Sequence, residues 1–229
     1  MRNLPKVFCA LDMVDLNDAI DLALSLRGLC GIKLGLEFFN ARGSHGVRNL
    51  LNATDGMPLF LDLKYHDIPN TVAGAVRSIT NHVRPAFMNV HAAGGLDMMR
   101  AARDACPPET KLLAVTVLTS IDVETLQSVG QGDDTTQQVE RLALLAKEAG
   151  MDGVVCSAHD IETIRRACGD DFITMVPGIR PAGSDTGDQR RIMTPKEAVD
   201  KGAHHLVIGR PITKPSDPAA AARSIIATL

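Results

Sequence analysis

Eight short apolar runs, each followed by a segment of helical character, constrain this chain more than any other feature of it. The runs are VFCALD from Val7, CGIKLG from Cys30, PLFLDLK from Pro58 and AFMNVHA from Ala86. Then come KLLAVTVL from Lys111, GVVCSA from Gly153, FITMVPG from Phe172 and HLVIGR from His205. Between them lie amphipathic stretches such as LNDAIDLALSLRG, NTVAGAVRSITNHV, TTQQVERLALLAKEAG and PKEAVDKGA, several closing on the glycine that suits a helix C-terminus. Strands apolar on both faces and alternating with helices predict a parallel sheet covered by helices. Eight such units in 229 residues predict an α/β fold, a single-domain (β/α)8 TIM barrel spanning residues 1–229. An open doubly wound sheet is the alternative, but it needs no particular count of eight. The segment after the first strand, ALDMVDLN, lacks the glycine-rich dinucleotide fingerprint.

Composition narrows the function. A net charge of -3 offers no basic excess for nucleic acid, and with no Trp and one Tyr there are few platforms on which bases could stack. Five scattered cysteines without a CxxC pair read as reduced thiols rather than a disulfide frame. The opening MRNLPKVFCALD is too poor in apolar residues for a secretory signal, and no run reaches the ~18 apolar residues of a membrane helix. A cytoplasmic protein without nucleic-acid or membrane partners is expected. No HxxxH or Cys cluster appears, so no transition-metal site is expected.

Polar residues gather at the C-terminal ends of the strands: Asp12, Lys33, Asp62, Lys64, His91, Thr119 and the pair Gly209–Arg210. In a barrel those ends form the face on which active sites are built. The third strand is the densest, because LFLDLKYHDIPNT places Asp62, Lys64 and Asp67 within six positions. Asp62 and Lys64 are two apart, so both project toward the barrel mouth, with Phe60 deeper on the same face and Leu61 and Leu63 turned to the helices. Opposite charges ~4 Å apart attract by about 4 kcal/mol at an effective dielectric near 20. Alternating signs from Lys33 and Asp62 could therefore hold a charge array together. A lone D-x-K would more simply be a self-satisfied structural pair; the equivalent strand-end positions of Asp12 and Lys33 argue for more.

The run DLKYHDIPNT closely resembles the signature of the orotidine 5′-phosphate decarboxylase family, and the likeness extends from ALD near residue 10 to IGRPI near residue 212. The resemblance implies a cofactor-free carboxy-lyase that turns orotidine 5′-monophosphate (OMP) into UMP and CO2 in pyrimidine biosynthesis. It implies that Lys33, Asp62, Lys64 and Asp67 form the catalytic set, with Lys64 as the proton donor to C6. By the same resemblance Asp12 bonds the ribose hydroxyls, Lys33 reaches the ribose, and Thr119 of VTVLTS lies over the pyrimidine. VPGIRP supplies Arg180, DQRRIMTP supplies Gln189, and Gly209 and Arg210 hold the phosphate. Asp67, Ile68 and Thr71 would reach the neighbouring site of a homodimer.

Two of these readings also have physical support. The loops after strands seven and eight are the usual phosphate site of such barrels; Gly209 permits close backbone approach, and Arg210 can donate paired hydrogen bonds. The stretch PGIRPAGSDTGDQRRIMTP, from Pro177 to Pro195, has the length and composition of a mobile cover, read here with Gln189 bridging phosphate and base; a tolerated insertion is the plainer alternative. His66 is expected to orient its loop, His91 to pack or to line the site, and His204–His205 to bind no metal. Two rivals remain at this point: a Mg2+-dependent sugar-phosphate decarboxylase or aldolase of the same barrel group, and a nucleotide-binding barrel without turnover.

Overall fold

The computed structural model describes residues 4–181 and 193–229. Eight parallel strands close on themselves in sequence order, β1 Val7–Ala10, β2 Gly31–Leu34, β3 Leu59–Tyr65, β4 Phe87–His91, β5 Lys111–Val115, β6 Gly153–Val155, β7 Ile173–Val176 and β8 His205–Ile208. Closure is made by β1, which pairs with β2 through Phe8 opposite Gly31 and with β8 through Phe8 opposite Val207. The helices are α1 Leu16–Ser25, α2 Leu36–Ala53, α3 Pro69–Thr80, α4 Leu96–Ala105, α5 Val123–Ser128 and α6 Thr135–Glu148. They continue with α7 Ile161–Cys168, α8 Pro195–Asp200, α9 Arg210–Thr213 and α10 Pro218–Ile226. The expected (β/α)8 barrel is the fold.

Strand periodicity sorts the side chains into two cores. Phe8, Phe60, Phe87, Leu113, Val115 and Met175 fill the barrel interior, while Val7, Cys9, Leu61, Leu63 and their equivalents meet the helices. Ring packing sets the inner layer, with Phe8 and Phe87 edge-to-face at 5.5 Å. Gly31 is required beside it, because a Cβ there would lie 2.5 Å from the Phe8 ring. Local signals start the helices. The Asp15 carboxylate accepts from the amides of Asn17 and Asp18, and Thr194 and Glu197 form a reciprocal capping box ahead of α8. In α2 the run is broken at Gly43, whose φ of 61° no helix interior adopts.

The N-terminal end of the barrel is closed by His205. Its Nδ1 lies 2.8 Å from the carbonyl of Pro5, an acceptor, so this nitrogen carries the proton. Its ring packs on Phe87 at 4.9 Å and on Phe8 at 5.7 Å. Burial pushes the imidazole pKa down to about 4. The folded state therefore prefers neutral His205, so its contribution is complete above the unfolded pKa near 6.5 and is lost as pH falls toward 4. The linked loss is about 3 kcal/mol. Unfolding midpoints in denaturant should fall across that window, and His205→Gln should flatten the fall. An unchanged slope in the variant contradicts the assignment.

All five cysteines are buried and unbridged, and burial pushes the Cys30 and Cys106 thiols up to about 11, away from the thiolate form. Among the described residues no helix is long and apolar enough to cross a membrane.

Candidate active site

The C-terminal ends of β1, β2 and β3 bring four charged side chains into one line of alternating sign. Lys33 Nζ lies 3.0 Å from Asp12 Oδ1 and 3.6 Å from Asp62 Oδ2, and Lys64 Nζ lies 2.7 Å from Asp62 Oδ1. Exposure is graded along this line. The Asp12 side chain is 60% exposed, those of Lys33 and Asp62 are 11% and 12%, and that of Lys64 is 28%. The two inner groups are thus held largely out of water, where pairing must offset a desolvation cost of several kcal/mol per ion.

Burial alone would raise the Asp62 pKa, but the charges of Lys33 and Lys64, with hydrogen bonds from Lys64 and Asn89, outweigh it and hold the carboxyl below its ordinary range. Asp62 is therefore an anion at neutral pH. His91 stands nearby on β4, its ring 5.5 Å from that of His66. Burial, then the proximity of His66 and Lys64, lowers its pKa, so His91 adds no cation to the array at pH 7.

Lys64 sits on irregular backbone. The β3–β4 register runs from Leu61 opposite Met88 to Tyr65 opposite Val90, so three residues of β3 face the single Asn89 of β4. Within this bulge Lys64 takes φ 51°, a left-handed conformation that costs a non-glycine residue about 1–3 kcal/mol. Simple strand alternation predicts the direction of Lys64 but not this departure.

The two ends of the array open onto different surroundings. Asp62 and Lys64 form part of the wall of a cavity of about 200 Å³, which is also lined by the apolar Val115, Val155 and Val207 and by Thr119. Gly209 follows β8 beside Asp12, where an added Cβ would lie 3.9 Å from Asp12 Oδ2, and Arg210 begins α9. Arg180 is buried past the end of β7. Its Nη1 donates to the Ile179 carbonyl at 2.9 Å, and its amide donates to Met193 at 3.0 Å. Gln189, together with most of the expected cover, lies outside the described residues.

Asp67 is where the single chain departs from the expected catalytic set. It makes no ion pair with Lys64; its Oδ1 instead accepts from the amide of Ile68 at 2.6 Å, on the exposed turn into α3. Pro69 at the first position of α3 fixes that turn, which carries Asp67, Ile68 and Thr71 to the surface. Ile68 is 67% exposed, unusual for so apolar a side chain. Sequence reasoning missed Asn89, fully buried on β4, which binds both Asp62 and Lys64. The available signal was an amide residue between apolar neighbours in AFMNVHA, in register with Phe87 and His91 on the inward face.

A closed parallel barrel with a charged array and a cavity at the C-terminal mouth defines the class: a (β/α)8 barrel enzyme. The family model described as orotidine 5′-phosphate decarboxylase / HUMPS matches residues 5–225, and the chain belongs to that family. It is 51% identical to the orotidine 5′-phosphate decarboxylase of Rhodospirillum rubrum, over 96% of this chain and 92% of that protein. It is also 51% identical to the Novosphingobium aromaticivorans protein of the same name, over 97% of this chain and 98% of the other. Among solved structures, that of orotidine 5′-phosphate decarboxylase from Lactobacillus acidophilus superposes with a TM-score of 0.84. It has 37% identity and covers 99% of both chains.

Proposed function

We propose that this enzyme decarboxylates OMP to UMP without a cofactor, for pyrimidine biosynthesis, with Lys64 as the acid that protonates C6. The observation carrying the proposal is the Lys64 ammonium, 2.7 Å from the buried Asp62 carboxylate on the wall of the mouth cavity. In the reaction the bond from C6 to the carboxylate breaks, CO2 departs, and the electron pair stays on a ring carbon with no conjugated sink. A fixed cation facing that carbon stabilises the developing charge, and its proton then forms the C6–H bond. Lys64 is left neutral and regains a proton from water.

The remaining roles are those that membership of the family implies. Asp62 crowds the departing carboxylate, and the apolar wall favours CO2 over its charged precursor. Asp12 and Lys33 bind the ribose hydroxyls, Thr119 hydrogen-bonds the pyrimidine, and Gly209 and Arg210 hold the phosphate. Arg180 and Gln189 belong to the cover over the nucleotide, with Gln189 bridging phosphate and base. Binding energy from the remote phosphate orders the array around C6. Asp67, Ile68 and Thr71, exposed on one chain, complete the site of a second copy in a homodimer, where Asp67 places a further carboxylate beside Lys64.

The test is the loss of OMP absorbance in buffer containing EDTA, repeated across a dilution series of the enzyme. Full turnover under chelation, falling per chain as the protein is diluted, agrees with the proposal. Turnover lost to EDTA indicates the metal-dependent chemistry of sugar-phosphate relatives, no turnover indicates a binding barrel, and a fully active isolated monomer excludes the shared site.

A further inference from the structure

We infer that Asn89 is a positioning residue that sets both the backbone of Lys64 and the carboxylate of Asp62. Its side chain is fully buried and spends both ends on the catalytic pair. Nδ2 donates to Asp62 Oδ1 at 2.7 Å, and Oδ1 accepts from the Lys64 amide at 2.8 Å. The β3–β4 ladder is interrupted opposite this residue, between the Leu61–Met88 and Tyr65–Val90 pairs. The Asn89 amide group supplies there the bond that a regular ladder would have given to Lys64. It thereby holds a left-handed backbone of φ 51° that nothing in the lysine side chain favours. That backbone directs Nζ onto Asp62 at 2.7 Å. The same amide hydrogen bond helps keep Asp62 ionised, beside the charged groups that face it, Lys33 on β2 and Lys64 on its own strand, with the titratable but neutral His91 across on β4 and Asp12 beyond Lys33.

The two ends of the side chain can be separated by substitution. Asn89→Ala removes both bonds. Asn89→Asp is nearly isosteric, keeps an acceptor for the Lys64 amide, and replaces the donor to Asp62 with a second negative charge.

The inference rests on the proposed decarboxylation for its kinetic readout, but not for its titration. Carbon-13 NMR of the Asp62 carboxyl, which needs no turnover, should show its pKa raised in Asn89→Ala and raised further in Asn89→Asp. With OMP, kcat of Asn89→Ala should fall about 10- to 100-fold, the scale expected for a displaced reacting group. UMP affinity should change much less, and the acid limb of the kcat profile should move to higher pH. Where Asn89→Ala loses cooperative unfolding, the isosteric Asn89→Asp supplies the decisive titration. An Asp62 titration identical to that of the parent in both variants overturns the inference, as does a parallel fall in kcat and UMP affinity with an unmoved acid limb. If the parent protein itself fails to decarboxylate OMP, the proposed function is what fails, while the titration still decides the role of Asn89.

Discussion

Lys64→Ala should lower kcat/KM for OMP by about 10,000-fold or more, a loss of roughly 5.5 kcal/mol of transition-state stabilisation. Two effects share that side chain. A positioned general acid contributes about 10²–10⁴-fold, and a fixed charge aimed at a developing anion contributes about 10²–10³-fold. They are not additive when one group supplies both, but neither survives truncation to alanine. The neighbours do not replace it. Lys33 is the other ammonium of the array, but its partners are Asp12 and the far oxygen of Asp62. Burial, ahead of any neighbouring group, pushes His91 toward the neutral form. The variant should fold, because the lysine side chain is 28% exposed and its removal opens no apolar core. Initial rates at saturating OMP, with UMP binding measured alongside, check this: binding should persist while turnover disappears.

Asp62→Ala should be the most damaging change to stability within the array, by about 3 kcal/mol, and should also lower turnover at least 100-fold. Removing this carboxylate leaves the ammonium groups of Lys33 and Lys64 without the anion between them in a partly buried site. Lys33 keeps Asp12 at 3.0 Å, but Lys64 loses the only ion-pair partner it has among the described residues. Asn89 loses its acceptor in the same step. The cost lies toward the low end of the range for a broken buried pair, because water can reach the partly exposed lysine. It also depends on pH in a defined sense. The Asp62 pKa is depressed in the folded state, so the stabilisation from its charge is present above the ordinary carboxylate value and is lost as pH falls through the folded pKa. Chemical denaturation at pH 7 should show a lower midpoint in the variant, with the difference from the parent shrinking in acid. Equal midpoints at pH 7 would mean that the ion pairs merely repay their own desolvation.

The sequence made the barrel legible because eight apolar runs alternate with amphipathic ones, and parallel strands buried on both faces leave just such a trace. The direction of Asp62 and Lys64 was legible for the same reason, since alternation assigns them to one face. The bulge was not, because no glycine or proline marks residues 62–64, and the left-handed Lys64 is maintained by a side chain 25 positions away. Asn89 escaped attention because a single amide in a buried strand has no local signature; its meaning lies in two hydrogen bonds across the strand pair. The chemistry of Asp67, Ile68 and Thr71 came only from family resemblance, since exposure on one chain does not say what a side chain meets on another. Thr119 and Gly209 were placed by strand-end position, which in a barrel is nearly equivalent to placement at the mouth.

One interatomic relation underlies the whole mechanism, and a crystal structure of the enzyme with UMP bound would measure it. Lys64 Nζ should lie about 3–3.5 Å from C6 of the base, the range for a near-attack geometry, with Asp62 still paired to the ammonium and the phosphate against Gly209 and Arg210. A uracil ring bound elsewhere, or bound in the mouth with C6 turned away from the amine of Lys64, would contradict it.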